Sequence, residues 1–386
     1  MVEQVSLNSN DPFREIRPFS NQEAPEVIKR LAGEPELVSA LASWQLPLLY
    51  RYWQSAACAV IRFWLTQLTK RVFSVEDLQN IIAPKLAVII KRTSHFSVCG
   101  LQNLASNPFR LYLSNHRDIV MDPAYANYAL HKAGLPTLSI AIGDNLLTKP
   151  WVGDLMKLNK SFIVRRNVSG PRAMLAASKL LAQYIRHSIE KKINPIWIAH
   201  REGRAKDGMD QTEPAVIKML SMARHKHESA EDALDAMSIV PLIISYELDP
   251  CDYLKAAELA AGKSYTKKEF EDVGSIAKGI TEYKGCVHLQ FGEAIPRSSS
   301  VADVVDSVDD QMITHYKLFQ TNLWAWEWLN GRRAPHDLGC HQGSISKSTF
   351  QSRVNNVVPE HRQFMLAMYA NPVVRLLDYR NRVADH

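Results

Sequence analysis

The chain has 386 residues, 46% of them hydrophobic and 22% charged, a balance that buries a sizeable core and excludes a disordered or fibrous protein. Its net charge of +6 suits an anionic partner such as a phosphate ester, a nucleic acid or a membrane surface, and suits plain solubility equally well. Five scattered cysteines, Cys58, Cys99, Cys251, Cys286 and Cys340, form neither a C-x-x-C pair nor an even framework, so reduced thiols in a cytosolic compartment are expected and a zinc site is not.

Met1 to Pro25 is polar and acidic, without the basic start and apolar core of a secretory signal. No segment offers the roughly 18 uninterrupted apolar residues of a membrane-spanning helix. From Trp44 to Val75, Trp44, Tyr50, Tyr52, Trp53, Phe63 and Trp64 interleave with Arg51, Arg62, Lys70 and Arg71. That composition fits a helix lying in a membrane interface, and it also fits an amphipathic helix packed on the domain. A further apolar helix is predicted from about Asp77 to Thr93.

From Phe96 short apolar runs alternate with longer amphipathic segments. Predicted strands are Arg110 to Ser114, Thr137 to Ile142, Ser161 to Arg165, Pro195 to Ala199, Ile239 to Tyr246 and Cys286 to Phe291, with the clearest helices at Pro171 to Lys191 and Pro214 to Glu228. Strands separated by helices imply an α/β fold, a largely parallel central sheet flanked by helices. His225 and His227 are two apart and would point to different helix faces, which argues against a metal role. After Pro296 the pattern is helical, with Trp324, Trp326 and Trp328 either closing the core or adding to an interfacial surface. The predicted organisation is an N-terminal helical segment over 1–95, the α/β domain over 96–297 and a helical extension over 298–386.

The run Arg110 to Pro123 is the most informative. An apolar strand ends in Asn115, His116, Arg117 and Asp118, with Asp122 close behind, and strand ends of α/β sheets are where reactive groups gather. A histidine beside a carboxylate can take a proton from a hydroxyl, so His116 reads as a general base, or alternatively as a hydrogen-bonded rim histidine. The triplet His116-Arg117-Asp118 mimics a kinase catalytic loop, but Pro123 stands where that loop needs asparagine. Two other strand ends carry cations: Arg165 and Arg166 after Val164, and Arg201, Arg204 and Lys206 around Gly203. Guanidinium groups and lysine beside a glycine turn are suited to gripping phosphate.

In order and spacing these clusters resemble the blocks of the glycerolipid acyltransferase family: Asn115-His116-Arg117 through Asp122, Ser161 to Arg165, Glu202-Gly203-Arg204, and Val240 to Ile243. The resemblance implies that His116 deprotonates a glycerol hydroxyl for attack on an acyl thioester, with no acyl-enzyme. It also implies that an aspartate orients the histidine and that Arg165, Glu202, Gly203 and Arg204 bind the acceptor phosphate. Arg117 and Lys206 join them as candidate substrate-binding residues. The chain departs from the family pattern in two places. Its Asp122 lies one residue beyond the family spacing, where Met121 stands, so either Asp122 or Asp118 partners His116, with Asp122 preferred for its Met-Asp-Pro context. Arg201 replaces the usual proline before Glu202, and Arg204 comes one position early.

The expected activity is transfer of a fatty acyl group from an acyl-CoA or acyl-carrier-protein thioester to a hydroxyl of glycerol 3-phosphate or a lysophospholipid, in phospholipid biosynthesis or remodelling. No metal or bound organic cofactor and no nucleic acid is expected. The expected location is the cytoplasmic face of a membrane, peripheral or monotopic. The alternatives are a catalytically silent lipid-binding protein on the same scaffold, or a thioester or phospholipid hydrolase.

Overall fold

The computed structural model describes residues 11–104, 106–147, 149–267 and 271–384; the first ten residues of the polar N-terminal stretch lie outside them. Among the described residues seven strands are formed: β1 (His95–Cys99), β2 (Leu111–Ser114), β3 (Ser139–Gly143), β4 (Ser161–Val164), β5 (Ile196–Ala199), β6 (Val240–Tyr246) and β7 (Cys286–Phe291). Pairing is parallel at β1/β7, β2/β5, β2/β6 and β3/β4 and antiparallel at β6/β7. The fold is the expected largely parallel sheet with helices around it. The structure adds β1, whose polar His95, Ser97 and Cys99 hid its strand pattern.

The chain divides into two compact units, the described residues of Met1–Lys85 with Ser139–Tyr184, and those of Leu86–Leu138 with Ile185–His386. They cut the chain differently from the three segments read in the sequence. In the smaller unit the reason is packing: Ala24, Val27, Ile28 and Leu31 share one apolar cluster with Leu158, and Trp151 and Leu155 lie against it, so the β3–β4 region associates with the N-terminal helices. In the larger unit, Leu248 and Ala256 pack with Trp326, Phe350, Met365 and Val373, so the helices after Pro296 are part of that unit's core. Trp326 is buried while Trp328 is 42% exposed.

Within the larger unit the strand order is β1-β7-β6-β2-β5. Strands β2 and β6 are buried along their whole length, which is why both read as near-continuous apolar runs. Pro241 is the second residue of β6, a position that costs little in ladder bonds, and its carbonyl accepts the Gly292 N–H at 2.9 Å. Helix Pro214–Ser221 stops seven residues before the predicted end. The chain turns through His227 at φ 74° and restarts at helix Ala230–Asp235, capped by Ser229 in a capping box with Asp232.

In the smaller unit the aromatic segment is not one helix. Pro47 and the non-helical backbone of Trp53 break it into Pro35–Gln45, Pro47–Tyr52 and Gln54–Thr69. Trp44, Tyr52, Trp53, Phe63 and Phe73 are each at least 60% exposed, and Lys85 Nζ lies 4.7 Å from the Trp64 ring centroid. No described helix is long and apolar enough to cross a membrane.

Candidate active site

Strand β2 delivers the chain to a turn fixed from several sides. Asn115, fully buried, accepts the Ile244 N–H at 2.8 Å and donates to the Ile244 carbonyl at 3.0 Å, extending the pairing with β6 past the ladder. His116 follows. Its carbonyl accepts the Ala205 N–H at 2.7 Å, and its ring meets Trp197 of β5 edge to face at 5.3 Å.

Asp122, in the first turn of helix Met121–Lys132, places Oδ2 2.8 Å from His116 Nδ1. A carboxylate oxygen accepts, so Nδ1 carries the proton and Nε2 is left as the basic nitrogen. No described group bonds Nε2, and the side chain keeps 15% of its surface. The same Oδ2 accepts the N–H groups of Arg117 at 2.5 Å and Asp118 at 2.9 Å, while Oδ1 accepts Tyr246 Oη at 2.7 Å. Burial, then the charges of Asp122 and Asp118, push the Tyr246 phenol well above its ordinary value, which keeps it a donor. Four bonds from three residues and a phenol hold this carboxylate in one orientation.

Asp118, the other candidate partner, turns away. Its Oδ1 accepts the N–H groups of Val120 at 3.0 Å and Met121 at 2.8 Å, and burial first, with Asp122 second, raises its pKa to about 6. Gly279 is required beside it, because a Cβ there would come within 2.2 Å of Asp118 Oδ2.

Arg117 corrects an expectation. Read in sequence as a substrate-binding cation, it is 5% exposed, donates from Nη2 to Asp210 Oδ2 at 2.5 Å and lies over the Tyr316 ring at 5.6 Å. Its carbonyl accepts Lys255 Nζ at 2.7 Å, and Lys255 pairs with Asp249. Burial works against the Asp210 carboxylate, but Arg117, His200 and Asn115 outweigh it and hold Asp210 below the usual range. Arg117 is thus a buried strut of the turn.

The second cluster in this unit is the loop after β5. Gly203 takes φ 75°, a left-handed conformation that glycine adopts freely. Glu202 is exposed and Arg204 half-buried. Among the described residues the Arg204 guanidinium makes no hydrogen bond or ion pair. Lys206 pairs with Glu258 and Arg201 with Asp207 at 3.6 Å. The Ala205 bond brings this loop directly onto the His116 backbone. Arg165 belongs to the smaller unit, where it follows β4 and pairs with Glu15. No group of three or more metal-ligating side chains occurs among the described residues.

Sequence reasoning missed Tyr246, Asp210 and Lys255. Tyr246 is the last residue of the strand predicted from Ile239 to Tyr246. A phenol closing an otherwise apolar run was the available signal.

A histidine bonded to a carboxylate at the carboxyl edge of a largely parallel sheet defines a class, that of α/β proteins able to draw a proton from a bound hydroxyl. Residues 95–245 match the family model described as Acyltransferase, and this span, which contains all four sequence blocks, is an acyltransferase-family domain. The resemblance read from the sequence holds at that level. Among solved structures, the 1-acyl-sn-glycerophosphate (LPA) acyltransferase PlsC from Thermotoga maritima is similar over 72% of this chain and 95% of that one, at 15% identity and a TM-score of 0.35. No curated protein matches the chain.

Proposed function

We propose that this acyltransferase moves a fatty acyl group from a thioester to a hydroxyl of a phosphorylated glycerol, glycerol 3-phosphate or a lysophospholipid. The observation that carries the reading is the 2.8 Å contact of His116 Nδ1 with Asp122, which leaves Nε2 unbonded among the described residues, on a turn whose backbone the Glu202–Lys206 loop meets. Nε2 takes the proton of the acceptor hydroxyl as its oxygen attacks the thioester carbonyl carbon. The C–O bond forms, the C–S bond breaks, and the thiolate leaves with the proton carried by the imidazolium. Asp122 holds the tautomer and faces the positive ring. The unpaired Arg204, with Gly203 allowing close backbone approach, supports an acceptor-phosphate site. The reaction written this way needs no metal or organic cofactor; the thioester, of CoA or a carrier protein, is a co-substrate.

A catalytically silent lipid-binding protein would be favoured by both aspartates lying out of reach of His116, and Asp122 is within hydrogen-bond distance. The exposed tryptophans and Phe63 with neighbouring Arg51 and Arg62 support peripheral contact with a membrane, at its cytoplasmic face in this reading.

The test is incubation of purified protein with a labelled long-chain acyl thioester and a panel of acceptors. Acylation of a phosphorylated glycerol, lost in a folded His116→Ala variant, is expected. Activity that survives the substitution, or transfer to water alone, sinks the reading.

A further inference from the structure

A groove of about 770 Å³ opens at the free edge of β1, bounded by the end of helix Val75–Thr93, Tyr128 and the segment around Lys317. Its volume falls within the range of small-molecule sites. Lys91 and Lys317 stand on its walls with the half-buried rings of Phe96 and Tyr128, and neither aspartate nor glutamate lines it. Among the described residues neither lysine ammonium forms an ion pair. The charge of Lys317 is felt nearby: burial and then Lys317 lower the pKa of His341 and hold His288 down at about 4. An uncompensated cationic cleft with flat aromatic faces complements a ligand that is both anionic and aromatic.

The groove is coupled to the candidate active site by direct contacts. Phe96 lies 4.8 Å from the Tyr125 ring and Tyr125 lies 6.2 Å from Tyr246, whose hydroxyl holds Asp122. Two of its lining residues, His95 and Cys286, the first of β1 and β7, lie beyond the carboxyl end of β6, because Tyr246 is in register with Val287. Yet β7 and β6 stand between β1 and β2, so the lateral separation from the His116 strand is three strand spacings, about 14 Å. That separation selects among ligands. The phosphate of a glycerol acceptor is only a few bonds from its reacting hydroxyl and cannot lie so far from Nε2. In a coenzyme A thioester a long pantetheine arm separates the phosphorylated adenosine from the reacting carbonyl.

We infer that this groove receives the phosphorylated adenosine end of an acyl-CoA donor, the thioester reaching His116 through the pantetheine arm. This rests on the proposed acyl transfer and commits it to CoA over a carrier protein.

The experiment titrates the full-length protein with 3′,5′-ADP and with CoA by calorimetry, then compares KM for acyl-CoA with KM for an acyl-pantetheine thioester lacking the nucleotide. Lys91→Glu changes an exposed helix residue, and Lys317→Ala removes the second cation without inserting a charge. Together they are expected to weaken nucleotide binding and raise the acyl-CoA KM by about tenfold or more, as loss of charge-assisted phosphate bonds does, and to leave the acyl-pantetheine KM unchanged. Unaltered nucleotide affinity, or an equal rise with both donors, overturns the inference while the transferase reading stands. Absence of transfer from any donor overturns that reading, and the calorimetry still decides the groove.

Discussion

Tyr246 Oη donates to Asp122 Oδ1 at 2.7 Å, on the carboxylate oxygen that His116 does not use. The phenol comes from a central strand and the carboxylate from a helix start, so the bond ties the orientation of the base to the sheet. Tyr246→Phe removes one bond and nothing else. It should lower kcat by about fivefold to tenfold with KM unchanged, the pattern for a lost positioning bond. A purely structural tyrosine would instead lower the melting temperature and leave kcat and its pH profile in place.

The two aspartates are separable by substitution. Asp122→Asn puts an amide beside Nδ1 and breaks the tautomer arrangement, so transfer should fall by about 10³-fold or more, close to the His116→Ala loss. Asp118→Asn retains the carbonyl oxygen that caps Val120 and Met121 and should keep activity within about threefold. Steady-state rates for the two variants decide it, and a reversed order would reassign the partner.

Arg117 and Arg204 should fail in different ways. Removing Arg117 leaves Asp210 buried and unpaired, which costs about 3–5 kcal/mol, so Arg117→Ala is expected to unfold at markedly lower urea concentration. Arg204→Ala removes an unpaired cation and should raise the acceptor KM with unfolding unchanged. An Arg117→Lys variant whose stability falls but whose acceptor KM is normal would establish the division.

The buried histidines should lower stability on mild acidification. Burial holds His200, which is fully buried, and His288 near pKa 4. Unfolded histidines bind protons near pH 6.5, so each contributes stability above pH 6.5 that is lost as pH falls toward 4, at most about 3 kcal/mol per residue. Asp118 acts oppositely: its raised pKa favours the folded state at low pH and penalises it as pH rises through about 6. Asp252, Asp309 and Asp310, also raised by burial, act with Asp118, and His341 acts with the two histidines, so the histidine contribution is read as the difference between the wild type and a variant lacking one of them. Melting temperature between pH 7 and 4 checks this, and His200→Asn, which can still bond Thr212, should flatten the curve.

Much of the fold was legible because buried parallel strands such as β2 and β6 leave unbroken apolar runs, and β7 was located to the residue. Strand β1 was not, since its exposed face is polar and its period-2 signal is short. The aromatic N-terminal segment read as one helix because the break at Trp53 depends on backbone geometry that no breaker residue at that position announces. At the site, chemistry-bearing residue types were visible, but their sorting was not. Arg117 and Arg204 are both arginines next to glycine or histidine in the sequence, and only burial against Asp210 separates a strut from an open cation. Tyr246 and Asp210 escaped notice because their roles depend on long-range contacts.

The loop beyond Gly203 is held from the far end of the chain. Arg375 of helix Pro359–Ala384 donates to the Asp210 carbonyl at 2.5 Å, Asn371 donates to the Asp207 carbonyl at 2.6 Å, and Gly208 packs so closely that a Cβ would lie 2.3 Å from the Met368 carbonyl oxygen. Asp210 in turn anchors Arg117 in the His116 turn. On a ribosome, the strands and the histidine emerge long before the helix that fixes their loop, and domains mature as their partner segments appear. The nascent protein would acquire competence for chemistry only once that helix is made, and a chain cut short within it would carry every reacting residue in an unset site.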